Sequence, residues 1–185
     1  MESKKTNIVY PAKPRNIPKN LSSRDIRGFL TKNDTLNWDF LKRIRDIWPR
    51  TLIVKGILHP GDAVMAADSG ADGIIVSNHG GIANDSAVAP VDVLPGIVEA
   101  AGKRLTIIVD SGFRRGSDVL KGLALGADAI AIGRATLYGV GAAGESGATR
   151  ALEIFDSEIR RTMGVMGLSD VQSINRDHVI LPGQL

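Results

Sequence analysis

The sequence predicts an α/β fold of the parallel (β/α) TIM-barrel type, and the four β/α units that can be read from it make half of such a barrel. Short apolar segments alternate with helical patterns, and these segments are apolar at every position rather than at every second one. Such strands are typical of parallel sheets that are buried on both faces. A helix end, a glycine turn and a strand also recur at 68–76 and 125–132, which indicates a repeated unit. A complete barrel needs about 250 residues.

The predicted elements begin after residue 36. Trp38, Leu41 and Ile44 recur at helical spacing, and Pro49 is expected to end that helix because the residue before a proline disfavours helical geometry. Pro60 is favourable in the first turn of the next helix. The predicted strands are 51–55, 73–77, 106–110 and 129–133, and the later helices are 60–68, 91–101, 117–125 and 147–163.

The first 35 residues differ in composition from the rest. They contain three prolines and many basic residues, and they show no sustained periodicity, which predicts a loop or an arm. A short helix near 23–29 is compatible with this composition because a serine can cap it. The predicted division is a basic arm at 1–35, a half-barrel at 36–166 and a mostly irregular tail at 167–185.

The composition is that of a soluble globular protein, with 43% apolar and 23% charged residues. The absence of cysteine excludes disulfides and thiolate metal sites. No apolar run approaches the roughly 20 residues that span a bilayer, and the first residues lack the apolar core of a signal peptide. We therefore expect a cytoplasmic location.

The charge is distributed unevenly. Residues 1–50 hold 12 Lys and Arg against 5 Asp and Glu, whereas residues 51–185 hold 11 against 15. A basic segment of this kind can contact anionic lipid or nucleic acid. Contact with anionic lipid predicts peripheral association with the inner face of the membrane. The alternative is a solvated tail without a partner. We do not expect nucleic acid as a partner.

Polar and glycine-rich segments follow each predicted strand. They are Lys55-Gly56, the segment 77–81, the segment 110–116 and Gly133-Arg134. Because the carboxyl ends of barrel strands meet at one rim, where the active sites of this fold lie, we expect these residues to converge.

The last two of these segments predict a phosphate site. Gly112 and Gly116 allow the backbone to approach a ligand closely. Backbone N–H groups together with Arg114 or Arg134 can hold a phosphate group, which this fold binds after its seventh and eighth strands. The alternative is that the glycines only form turns and the arginines are solvated.

His79 is the candidate catalytic base. It directly follows a strand, and histidine accepts a proton near neutral pH. Lys55, at another strand end, can stabilise a developing anion, or it forms an ion pair with Asp110. His59 is instead predicted to begin a helix, and His178 lies in the irregular tail.

The motifs IVKGI, GADGIIVSNHGG, AVAPVDVLPGI and VDSGFRRGSDVLKGLALGADAIAIGRATLYG resemble those of the FMN-dependent 2-hydroxy-acid oxidases and dehydrogenases. This family includes glycolate oxidase, flavocytochrome lactate dehydrogenase and mandelate dehydrogenase, and the motifs at 110–118 and 133–139 are most similar to those of mandelate dehydrogenase. The resemblance runs from about Leu36 to Arg176 and covers the C-terminal half of the family's barrel. It implies FMN as cofactor and oxidation of a 2-hydroxy acid to a 2-oxo acid.

The resemblance also implies a role for each matching residue. His79 would take a proton from the bound substrate, and Lys55 would stabilise the reduced flavin. Ser77 would contact the flavin ring. The ribityl chain and phosphate would be lined by Asp110, Ser111, Gly112, Phe113 and Arg114, with Gly133 and Arg134 closing the phosphate site.

Two departures from the family pattern bear on activity. The family has an arginine three residues after the histidine that holds the substrate carboxylate, and here that position is Ile82. The family's N-terminal half, which supplies the other flavin and substrate contacts, is not recognisable before Lys55. A half-barrel exposes strand edges and an apolar inner face, which predicts a complementing half or self-association. The alternative to an enzyme is a non-catalytic remnant that binds flavin or phosphate.

Overall fold

A computed structural model describes residues 36–82 and 84–181, which form four β/α units. An additional helix, α1, precedes the first strand, and two short 3-10 turns follow the last helix. The elements are α1 (Trp38–Ile47), β1 (Ile53–Ile57), α2 (Pro60–Asp68), β2 (Gly73–Val76), a 3-10 turn (His79–Gly81), α3 (Pro90–Ala101), β3 (Thr106–Val109), α4 (Gly116–Ala124), β4 (Ala129–Ile130), α5 (Arg134–Val165) and the 3-10 turns Val171–Ser173 and Arg176–His178.

The four strands form one parallel sheet in the order β1-β2-β3-β4. Its best-buried face carries Ile74, Val76, Ile107 and Val109, each at most 1% exposed. The predicted burial of both strand faces is wrong for Ile53, which lies on the opposite face of the sheet and is 40% exposed. In an eight-stranded barrel that inner face packs against the other four strands.

Helix starts follow the expected chemistry. Asn37 caps α1 by accepting the N–H of Phe40. His59 caps α2, where its Nδ1 accepts the N–H of Gly61 at 3.0 Å, and Pro60 occupies the first turn. The prediction that His59 begins a helix is therefore confirmed.

The last helix differs most from the prediction. It begins at Arg134 rather than near Gly147, and its helical backbone is interrupted at Ala143 and Gly144. The glycines of this segment lower its helix propensity, but Gly139 and Gly147 pack backbone to backbone across the interruption. Any side chain at either glycine would prevent that packing. β4 is correspondingly short and ends at Ile130 instead of Gly133.

The predicted arm at 1–35, with its short helix near 23–29, lies outside the described residues. Within 36–82 and 84–181, no helix is long and apolar enough to cross a bilayer.

Candidate active site

The residues that follow the four strands line one cavity of about 460 Å³. This volume lies in the range typical of small-molecule and cofactor sites, about 300–1,000 Å³. The expected convergence at one rim is present in the structure. Of the predicted site residues, the lining contains Lys55, His79, Asp110, Ser111, Gly112, Phe113, Arg114, Gly133 and Arg134, whereas Ser77 is not part of it.

Lys55 is held at two points. Its Nζ donates to the Ser77 Oγ at 2.6 Å and lies 3.0 Å from the Asp110 Oδ2. The pairing register shifts between Lys55 and Ile57, where Gly56 has a φ of +98°. A bulge of this kind can re-aim a neighbouring side chain. The ion pair with Asp110, proposed from the sequence as the alternative role of Lys55, is thus present in the cavity wall.

Asp110 remains ionised beside this lysine. Burial raises the pKa of its carboxyl, but hydrogen bonds from Ser77 and Ser111 and the contact with Lys55 outweigh burial and hold the pKa below its ordinary value of 3.8. The carboxylate therefore stabilises the folded chain at neutral pH.

We predict that Asp110→Asn lowers the free energy of unfolding at pH 7 by about 1 kcal/mol, a value reduced for the partial exposure of the pair. Because the folded-state pKa is depressed, this contribution is complete above 3.8 and is lost as the pH falls through the lower folded value. Urea unfolding of both proteins between pH 7 and pH 2.5 measures it. The exposed Asp46→Asn is the control, and a difference that does not change with pH would contradict the prediction.

His79 lies in a strained loop at the cavity rim. Its φ is +56°, in the left-handed region that non-glycine residues rarely occupy. The His79 N–H donates to the Ser77 Oγ at 3.1 Å, which fixes the backbone. The imidazole faces the cavity, and no described residue hydrogen-bonds to it. The ring is therefore available to a ligand, while its catalytic role stays a prediction.

Two basic loops also line the cavity. Arg114 lines it without an ion pair to any described residue, and Arg134 donates to the Gly80 carbonyl at 3.2 Å. The backbone N–H groups of Gly112 and Phe113 have no acceptor within the described ranges, and Gly112 has the positive φ of +94°. Helix α5 begins at Arg134, and helix N-termini favour anions. This set of donors fits a phosphate group.

Two carboxylates that the sequence interpretation missed hold the 110–116 loop. Asp118 accepts the N–H groups of Arg114 and Arg115 at 3.1 and 3.0 Å. Glu158, on α5, accepts from the Gly116 N–H at 2.8 Å and from the Arg115 guanidinium at 2.7 Å. The Asp118 contacts have a local sequence signal, which is an Asp in the first turn of a helix. The contact of Glu158 with Gly116 joins residues 42 positions apart and has no local signal.

Ile82 and Tyr138 line the outer part of the cavity and are 75% and 71% exposed. Tyr138 is not among the predicted site residues, because it lies in the part of α5 before Gly147, where the sequence predicted no helix. His79 lines the same cavity. A substrate next to His79 would meet an isoleucine there.

A family model for FMN-dependent dehydrogenases matches residues 4–181. The match begins well before Leu36, where the resemblance in the motifs begins. An L-lactate dehydrogenase of Caulobacter vibrioides is 47% identical over 154 residues, which are 82% of this chain and 40% of that protein. The (S)-mandelate dehydrogenase of Pseudomonas putida is 46% identical over 145 residues, 78% of this chain and 36% of that protein.

The fold is similar to solved structures of the same kind. The crystal structure of a monotopic membrane protein, (S)-mandelate dehydrogenase, superposes with a TM-score of 0.76 at 46% identity and covers 78% of this chain and 38% of that one. A mandelate oxidase variant solved with an FMN adduct has a TM-score of 0.72 at 40% identity, over 75% of this chain and 44% of that one. The chain spans about two fifths of the curated relatives it matches.

Proposed function

Because the chain belongs to the FMN-dependent dehydrogenase family, we propose that its cavity holds FMN and that the whole protein oxidises a 2-hydroxy acid to a 2-oxo acid. The observation that carries the proposal is the convergence of Lys55, His79 and two arginine loops on one cavity. Bound FMN supplies the acceptor for the two electrons that leave the substrate. A purely non-catalytic remnant is not favoured, since the similar proteins are named as dehydrogenases.

We propose the following division of work within the cavity. Arg114, Arg134 and the free N–H groups of Gly112 and Phe113 hold the phosphate. Asp110, which pairs with Lys55 and begins the 110–116 loop, accepts hydrogen bonds from the ribityl hydroxyls. The Lys55 ammonium lies at the flavin ring and stabilises negative charge there. The Ser77 hydroxyl accepts a hydrogen bond from the Lys55 ammonium and so keeps it in place. A direct contact of Ser77 with the flavin ring, predicted from the resemblance, is also part of the proposal.

His79 is proposed to take a proton from the substrate. Its imidazole is exposed at the rim, within the cavity that also contains Lys55. A base in this position removes a proton as the electron pair of the substrate leaves for the acceptor.

We also propose that four further β/α units cover the inner face of the sheet, supplied by a complementing segment or a second copy. Support comes from the two unpaired edges of the described sheet, at β1 and β4, and from the exposed side of Ile53. Parallel strands pair through their edges, so both edges need partners in a closed barrel. The division of the chain at 1–35, 36–166 and 167–185 is part of this proposal.

The basic N-terminal segment is proposed to contact anionic lipid on the cytoplasmic side. The excess of 12 Lys and Arg over 5 Asp and Glu in residues 1–50 supports this. The similar (S)-mandelate dehydrogenase is a monotopic membrane protein. No nucleic acid is part of the proposal.

The test uses a fusion protein, here called the completed barrel. In it, the part of the (S)-mandelate dehydrogenase that this chain does not match precedes this chain. We expect the completed barrel to bind FMN more tightly than riboflavin, and lactate or mandelate to bleach the bound flavin. Arg114→Gln should weaken FMN by about 10- to 150-fold, as for a charged hydrogen bond, and leave riboflavin unchanged. Fluorescence titration measures both ligands.

Arg150→Gln is the matched control, because Arg150 pairs with Glu153 on α5 and does not line the cavity. Arg114 is preferred over Arg134 for the test, since Arg134 also contacts Gly80. Equal affinities for FMN and riboflavin in the unaltered completed barrel would contradict the phosphate site. FMN binding without bleaching by any 2-hydroxy acid would contradict the reaction.

A further inference from the structure

Ser111 has a backbone conformation that a serine rarely adopts. Its φ is +72°, in the left-handed region where glycine is favoured and where other residues are strained. Strained residues persist where the surrounding structure over-determines them, and they cluster at functional sites. Within the described residues, the only other non-glycine position with a positive φ is His79. The two strained residues lie in adjacent loops of the same cavity.

The Ser111 side chain joins those two loops. Its hydroxyl donates to the Asp110 Oδ1 at 2.8 Å and accepts the N–H of Gly80 at 3.0 Å. Gly80 directly follows His79, so the hydroxyl holds the His79 loop from its C-terminal side. The Ser77 Oγ holds the same loop at the His79 N–H. Asp110 in turn pairs with Lys55.

We propose that Ser111 is a positioning residue for His79, which fixes the orientation of the histidine loop relative to Asp110 and Lys55. This inference rests on the proposed function, in which His79 acts as the base. Glycine at position 111 would adopt the same φ without strain but could not bridge the loops. Alanine would keep the strain and also lose the bridge. The hydroxyl therefore explains why a side chain is present at a position where glycine is sterically easier.

Ser111→Gly and Ser111→Ala separate the hydroxyl from the strain. In the chain itself, we expect exchange of the Gly80 amide hydrogen, measured by NMR, to be about 2- to 12-fold faster in both variants, the range of one net hydrogen bond. Ser111→Gly is expected to remain folded, because relief of the left-handed strain offsets part of the stability lost with the two hydrogen bonds. Ser173→Ala, in the distant 3-10 turn, controls for loss of a hydroxyl elsewhere.

In the completed barrel, both variants should lower kcat for flavin reduction by roughly 10-fold with little change in KM, because a misplaced base affects the chemical step. The plot of kcat against pH should be lower in both variants but keep the same shape, since the base itself is unchanged. Unaltered Gly80 exchange in both variants would overturn the proposal, and so would an effect confined to Ser111→Ala. If the unaltered completed barrel fails to reduce flavin, the proposed function fails, whereas the Gly80 exchange still decides the role of Ser111.

Discussion

His79→Ala is expected to lower the rate of flavin reduction by a 2-hydroxy acid about 10²- to 10⁴-fold in the completed barrel, the usual contribution of a general base. FMN should still bind, because the proposed phosphate donors, on the 110–116 loop and at Arg134, make no hydrogen bond to the imidazole. The imidazole makes no hydrogen bond to a described residue, so its removal leaves no unsatisfied protein group. Stopped-flow absorbance of the bound flavin measures the rate.

The control is His59→Ala, which removes a histidine that caps α2 and does not line the cavity. Loss of that cap should cost about 1 kcal/mol of stability and leave the reduction rate unchanged. Loss of FMN from the His79 variant to the same degree as loss of rate would instead assign His79 a structural role. An unchanged rate would exclude it as the base.

The sequence was sufficient to predict the parallel sheet and the shared rim. Apolar runs at 73–77 and 106–110 gave strands at nearly their observed positions, because buried parallel strands have few alternatives. Strand order follows chain order, so residues at strand ends had to meet. The sequence alone therefore predicts that Lys55, His79 and the arginine loops meet at one rim.

The features that the sequence did not predict share a physical cause, because each depends on contacts between residues that are distant in the chain or on an unusual backbone conformation. The first part of α5, before Gly147, is rich in glycine and has no predicted helix, yet the backbones of Gly139 and Gly147 pack together there. Glu158 reaches Gly116 from 42 positions away. The Ser111 bridge to Gly80 depends on a left-handed backbone that local propensity disfavours. No local pattern encodes contacts of this kind.

Ile82→Arg is expected to raise kcat/KM for a 2-hydroxy acid in the completed barrel. In the family that the sequence resembles, an arginine at this position holds the substrate carboxylate, and isoleucine can offer no charge or hydrogen bond. Removal of one partner from a buried, hydrogen-bonded charge pair costs roughly 2–5 kcal/mol, but Ile82 is 75% exposed. We therefore expect the lower end of this range, about 2 kcal/mol, which corresponds to an increase in kcat/KM of about 30-fold.

Steady-state reduction of the flavin by lactate and by mandelate measures this increase, and the matching 2-hydroxy amides identify its origin. An arginine that binds a carboxylate should improve only the acids, because the amides carry no charge for the guanidinium to pair with. Ile82→Met, which is of similar length but uncharged, should change neither. If Ile82→Arg leaves the acids unimproved while FMN binding is retained, position 82 does not face the substrate carboxylate, and the orientation proposed for substrate beside His79 is wrong.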